Sequence, residues 1–211
     1  MSAGAEAMRR GASANDSDSE VGLWLFLASE VMFFGLLFYG YAITRITHPL
    51  AFAEASAHTD VLLGTINCVL IFTSSLTVAL AARCLRTGAR RASLRLLAAT
   101  WTLGFLFLAV KCYEYDVDVA NHLVPWGRFA FHGGLAAGER MFFFMYFVMT
   151  GAHAVHLIVG LGILAAMVVG VARGRYTEHN SEAVELAALY WALVDTVWIF
   201  LYPVLYLVHR P

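Results

Sequence analysis

The run Met141 to Gly162, MFFFMYFVMTGAHAVHLIVGLG, contains no acid, lysine or arginine and continues in kind to Ala172. An α-helix rises about 1.5 Å per residue, so about 20 apolar residues cross a hydrocarbon core about 30 Å thick. Such a run excludes the half-polar helix of a soluble domain and predicts a membrane-crossing one. Four further apolar stretches stand at 21–43, 61–82, 96–113 and 184–208, and the fourth in chain order spans 141–172. Each satisfies its backbone polar groups within its own helix. The expected fold is therefore all-α, a polytopic bundle of five transmembrane helices over residues 21–211.

Composition agrees with this reading. The 211 residues are 60% hydrophobic and 14% charged, where soluble domains hold about 45–50% apolar residues. A net charge of −1 argues against a nucleic-acid partner, which needs a basic face. Cys68, Cys84 and Cys112 lie in or beside the spans without redox or zinc spacing, and read as small buried residues. Residues 1–20 mix Ala, Gly, Ser and charge and are expected to form a mobile tail. They contain no apolar core for a signal peptide, and Glu6, Asp16, Asp18 and Glu20 do not suit a mitochondrial transit peptide. Residues 116–140, with Pro125, Trp126 and a Gly-rich turn, form the longest expected loop.

The cations divide unevenly between the two sides. Five crossings put the N-terminus and the second and fourth links together with Arg9, Arg10, Arg83, Arg86, Arg90, Arg91, Arg95, Arg173 and Arg175. The other side carries Arg45, Arg128, Arg140 and Arg210, with Lys111 at a helix end. The positive-inside rule then predicts a cytoplasmic N-terminus and an external C-terminus in a bacterial inner membrane.

Against this background the intramembrane polar residues stand out. Glu30, His153, His156 and Asp195 fall near the middle of their spans, where unpaired polar groups cost a few kcal/mol each. They are expected to face inward and satisfy one another. At 100° per residue His153, His156 and Gly160 share a sector with Tyr146 and Met149, while Gly162, Ala166 and Gly170 form a small-residue stripe on the other side. Trp191, Asp195, Trp198 and Tyr202 share one face, offering donors to the acid. The histidines read as structural hydrogen-bonding groups or as metal or haem ligands. A bis-histidine haem needs ligands from different helices, and no other span supplies one. Glu30 reads as a helix–helix contact or a proton-linked group, Asp195 as mainly structural, and Lys111 with Glu114 as an interfacial ion pair.

Several ordered blocks resemble one family. SEVMFF at Ser29 to Phe34, the Asn67 region, KCYEY at Lys111 to Tyr115, MTGAHAVHLIVG at Met149 to Gly160 and VELAALYWALVDTVWIFLYP at Val184 to Pro203 are similar to subunit III of the haem-copper terminal oxidases. The resemblance implies a non-catalytic subunit without metal or haem of its own. Such a subunit packs on subunit I, near subunit II and small subunits or a supercomplex, while haem and copper stay in the partners. It implies phospholipids held in a cleft, support of proton uptake and protection of the catalytic centre during turnover. Glu30 matches the family's carbodiimide-reactive acid, and the motif histidines and Asp195 its other buried polar positions. Asn67, Lys111, Glu114, Glu185, Trp191, Trp198 and Tyr202 become subunit or lipid contact candidates. The five-span form resembles bacterial versions lacking the first two helices. Ala192 stands where the motif usually has His, which puts a headgroup contact there in doubt. A quinol oxidase subunit III or a nitric oxide reductase accessory protein shares the pattern. A free-standing enzyme or transporter lacks the necessary metal ligands and repeat.

Overall fold

The computed structural model describes residues 2–126, 130, 133–178 and 180–207, and of residues 2–20 and 23 only the backbone. Arg128 and Arg210, used above in counting cations, lie outside the described residues. Among these residues the chain is helical without strands, in the order α1 (Ser2–Thr47), α2 (Pro49–Ser56), α3 (Val61–Arg86), α4 (Arg90–Ala120), α5 (Ala136–Ala172) and α6 (Glu182–Tyr206). Five of them, α2 excepted, contain stretches long and apolar enough to cross a membrane.

The chain divides into two units, Met1–Leu36 and Leu37–Pro211. The first is the N-terminal part of α1. Its backbone is helical from Ser2, so the segment expected to be a tail continues the helix, and Trp24, Leu25, Met32 and Leu36 are exposed along it. Ser29 Oγ donates to the Phe26 carbonyl at 2.7 Å within the same helix.

The second unit holds α3 to α6 as an antiparallel bundle, with the end of α1 and the short α2 closing one end. Helix α2 occupies the link between the first two apolar stretches. Pro49 starts it, where a missing N–H costs nothing, and Ala51, Phe52 and Ala55 are buried. A Cβ on Gly138 would sit 2.6 Å from that of Ala51, so glycine permits α2 to lie directly on α5. Tyr41 ties in the end of α1, donating to the Val204 carbonyl at 2.7 Å and packing its ring on Phe52 and Phe142.

Helix ends follow ordinary capping chemistry. Asp60 accepts from the amides of Leu62 and Leu63 at 2.9 and 3.2 Å at the start of α3, filling donors a helix N-terminus leaves open. Gly88 and Gly174, with φ of 77° and 76°, turn the chain out of α3 and α5 with the backbone bonds Ala89 N to Cys84 O and Arg175 N to Gly170 O, both 2.9 Å. Arg90 donates to the carbonyls of Val171 and Ala172 at 2.8 and 2.7 Å. One guanidinium thus covers the negative end of α5 and locks the α3–α4 link against it. Arg83, Arg86, Arg91, Arg95, Arg173 and Arg175 gather with Arg90 at this arginine-rich end of the bundle.

Helix α4 runs two turns beyond the end expected from hydropathy, from Tyr113 to Ala120. The expected loop 116–140 shrinks accordingly. Acids at 114, 116 and 118 disguise the helix, because a hydropathy window reads them as solvent-exposed whether or not they are paired inside.

Candidate functional site

The centre of the bundle holds a column of polar side chains running along its axis. At the end away from the arginines, Lys111, Glu114 and Asp118 follow one face of α4 at i, i+3 and i+7. They are 2%, 3% and 7% exposed. Lys111 Nζ donates to Glu114 Oε2 at 3.0 Å, to Tyr146 Oη at 2.9 Å and to Tyr206 Oη at 2.7 Å, which uses all three ammonium hydrogens. Tyr206 in turn donates to Glu114 Oε1 at 2.6 Å. The Tyr146 hydroxyl lies 2.8 Å from Glu114 Oε1 and 3.2 Å from Asp118 Oδ2; its single hydrogen serves one of them at a time. The ammonium also sits 4.5 Å from the centroid of the Tyr146 ring and 5.0 Å from that of Tyr115, a cation–π setting of aromatic faces.

This arrangement corrects the reading of Lys111 and Glu114 as an interfacial pair. Both lie on the face of α4 that packs against Tyr146 of α5 and Tyr206 of α6, so both side chains are enclosed. Asn67, Trp191 and Trp198, expected as subunit or lipid contacts, are likewise buried within the fold at 0% exposure. Of those candidates only Glu185 and Tyr202 retain partial exposure. Tyr202 bonds Thr65 at 2.7 Å across α6 and α3, and Glu185 accepts from Ser181 at 2.8 Å and lies 3.8 Å from Arg86.

The middle of the column is formed by His153 on α5, Trp198 on α6 and Phe107 on α4, with ring centroids 4.8 to 5.5 Å apart. His153 is 1% exposed, and among the described residues neither ring nitrogen has a hydrogen-bond partner. Asn67 is in the same condition at both amide atoms. Thr77 meets Thr100 at 2.8 Å and, nearer the other end, Asp60 and Asp118 line one cleft. That antiparallel register puts Asn67 level with Lys111. His156 lies one turn on from His153 but in different surroundings, its Nδ1 2.7 Å from the Ala152 carbonyl, while the Tyr190 hydroxyl donates to the His156 carbonyl at 3.0 Å.

Nearer the arginine-rich end Asp195 accepts from Ser75 Oγ and sits 3.3 Å from Ser74 Oγ, while Trp191 Nε1 donates to Ser74 Oγ at 3.0 Å. The described hydrogen bonds of Asp195 therefore run to the serines of α3 and not to the histidines. Glu30, the fourth member of the expected set, lies in the first unit, partly exposed. Asp195→Leu is expected to leave the Ser75 hydroxyl without its acceptor, Ser74 keeping the Ile71 carbonyl at 2.8 Å, and to lower stability by about 1–3 kcal/mol, with lower subunit yield. Asp195→Asn, which keeps a carbonyl oxygen for Ser75, should retain most of it. Thermal melts of helicity in mild detergent distinguish the two, and equal losses would reject an acceptor role.

Sequence reasoning missed Asp118, Tyr206 and the role of Tyr146. Their signal was present in spacing, since Asp118 follows Glu114 by four residues and Tyr146 precedes His153 by seven. Chemically the column offers buried hydrogen bonds and one compensated ion pair, and among the described residues no three His, Cys, Asp or Glu side chains gather as a metal site.

The family model of cytochrome c oxidase subunit III matches residues 5–209. The chain belongs to that family. It is a multi-pass membrane protein of the haem-copper oxidase group, as the resemblance implied. Relatives include a haem-copper oxidase subunit I+III of Aeropyrum pernix, 31% identical over 193 residues, covering 88% of this chain and 22% of that protein. A cytochrome c oxidase subunit 3 of Synechocystis is 30% identical over 188 residues, covering 88% of this chain and 74% of the relative. That of Thermostichus vulcanus is 26% identical over 191 residues, covering 90% and 87%. The chain thus spans about a fifth of the joined subunit I+III protein and most of the two cyanobacterial ones.

Proposed function

We propose that the chain is subunit III of a respiratory haem-copper oxidase that passes electrons from cytochrome c to O2, packing on subunit I and carrying no redox centre itself. The match over residues 5–209 carries this reading, and the relative in which subunits I and III are one chain supports the pairing with subunit I. In this reading haem and copper reside in the partners, subunit II and smaller subunits complete the assembly, and phospholipids are held against the helices. The arginine bias supports an N-terminus on the cytoplasmic side of a bacterial inner membrane.

One outer face of α5 suits a partner helix. Val155, Ile158, Val159 and Val169 are exposed, and Gly162 between them has nothing within 4 Å of a Cβ position. A small residue among exposed aliphatics lets another backbone come close in a bilayer. Purification in mild detergent tests the assembly. Co-purification with a haem-bearing partner and its absorption spectrum is the expected result, whereas migration alone would reject the subunit reading.

Within the assembly Glu30 is the proton-linked candidate, since an acid in a membrane span often marks a proton route. Glu30→Gln is expected to leave initial oxygen consumption intact while slowing proton uptake or shortening enzyme lifetime during turnover. Pumping stoichiometry and inactivation half-life measure this. Unchanged values of both would leave Glu30 a packing residue.

A further inference from the structure

Three buried side chains at the centre of the bundle carry polar atoms that no described residue answers. They are both amide atoms of Asn67, both ring nitrogens of His153 and Nε1 of Trp198. Trp198 links the other two. Its ring lies 5.2 Å from that of His153, and it meets the thiol of Cys68, the residue after Asn67, whose sulfur is a weak acceptor. Lys111 Nζ stands 5.6 Å from the same indole ring, so the unanswered atoms adjoin the ammonium network. The set is chemically mixed. The amide offers two donors and an acceptor, a neutral imidazole one of each, and the indole one donor. An apolar occupant would leave them all unpaired, a cation would face the Lys111 ammonium, and an anion would find that ammonium already committed to Glu114, Tyr146 and Tyr206. Water both donates and accepts, and a buried water makes about three hydrogen bonds to groups of this kind.

A way in exists at the end away from the arginines. A cleft of about 720 Å³ between α3 and α4 is lined by Asp60, Thr65, Glu114, Val117 and Asp118. Glu114 and Asp118 are also within hydrogen-bond distance of Tyr146, so one side of the Lys111 network forms the floor of the cleft. We propose that ordered water occupies the core around Asn67, Trp198 and His153, enters from this cleft, and makes the polar column continuous from the cleft to mid-membrane depth. Polar side chains within membrane spans characteristically face the bundle interior or a water-filled cavity. Here the water carries the hydrogen bonding of Lys111 on to His153 past the apolar wall of Phe107, whose ring is 5.5 Å from the imidazole. The site is a property of the bundle and does not depend on which partners surround it.

The test uses the full chain with whatever partners it retains, in lipid bilayers, with nitrogen-15 in the His, Asn and Trp side chains. Solid-state NMR then reads magnetisation passing from water to each nitrogen. Trp191 supplies the internal reference, since its indole is as buried as that of Trp198 but donates to Ser74 at 3.0 Å. Wild type is expected to pass water magnetisation to Asn67 Nδ2, Trp198 Nε1 and the His153 ring faster than to Trp191 Nε1. Equal, slow transfer to all four side chains would show a dry core and overturn the proposal. Asn67→Leu should remove the transfer to His153, because both side chains hold the same water; a His153 signal unchanged in that variant would overturn the shared site. Should Asn67→Leu fail to assemble, the wild-type comparison with Trp191 decides alone. Entry is tested by Val117→Trp, which narrows the cleft at a partly exposed position. It is expected to slow the loss of the His153 N–H signal after transfer into deuterium oxide, and an unchanged rate would overturn the continuous column.

Discussion

Lys111→Met is expected to lower stability by about 3–5 kcal/mol, the cost of leaving a buried charge without its partner. The loss is large because Lys111 is the hub of the network. Without its ammonium, Glu114 keeps a carboxylate buried at 3% exposure, and Tyr146 and Tyr206 lose the donor they share at 2.9 and 2.7 Å. Met has nearly the same length and shape, so the packing volume is kept and electrostatics dominates. The companion Lys111→Met/Glu114→Leu removes both charges together. It is expected to recover most of the loss, since replacing an ion pair by apolar groups of similar volume is often neutral. Thermal unfolding of these three forms and of Glu114→Leu alone in one detergent yields the coupling energy. A single-variant loss below about 1 kcal/mol, the range of exposed pairs, would mean the pair is solvated and the inward placement wrong.

The second large effect centres on Trp191, the side chain around which three helices fit. It has no exposed surface, and its indole donates to Ser74 of α3 at 3.0 Å. Its six-membered ring lies between α4 and α5, where a Cβ on Gly104 would come within 2.6 Å of it and one on Gly160 within 3.0 Å. Both glycines are thus spaces for this ring. Trp191→Ala is expected to cost about 3–5 kcal/mol, as for other large-to-small core changes. In a bilayer the loss is chiefly of packing contacts, because lipid is as apolar as the protein interior. Gly104→Ala alone should cost about 1–3 kcal/mol by overpacking. In the Trp191→Ala background the same change should become neutral or favourable, since the ring is gone and alanine is the better helix former by about 1 kcal/mol. That reversal of sign is the decisive readout. A Gly104→Ala cost identical in both backgrounds would place the clash elsewhere.

The two cases show how far reading along one helix reaches. The α4 face was legible as a spacing, Lys111 to Glu114 to Asp118, yet hydropathy placed it at a surface because charges count as polar whatever they meet. Its pairing with Tyr146 and Tyr206 depends on helices 35 and 95 residues away, and nothing local encodes that. Trp191 shares a face with Asp195 in sequence, but only the bundle reveals that the face meets two glycines and the serines of α3.

What the sequence by itself determined is the class of object. Runs of about 20 apolar residues leave a chain no alternative to membrane-crossing helices, and ordered motifs over most of the length identify the family. The arginine asymmetry and the small and polar residues inside the spans were also legible, because each is a property of one segment. What only the tertiary structure decided is which polar residues meet. A helix sets the angle at which its side chains leave, whereas the neighbour that answers them is set by register and rotation between helices. Those are fixed by long-range packing, and they turned the apparent surface pair of Lys111 and Glu114 into the buried centre of the bundle.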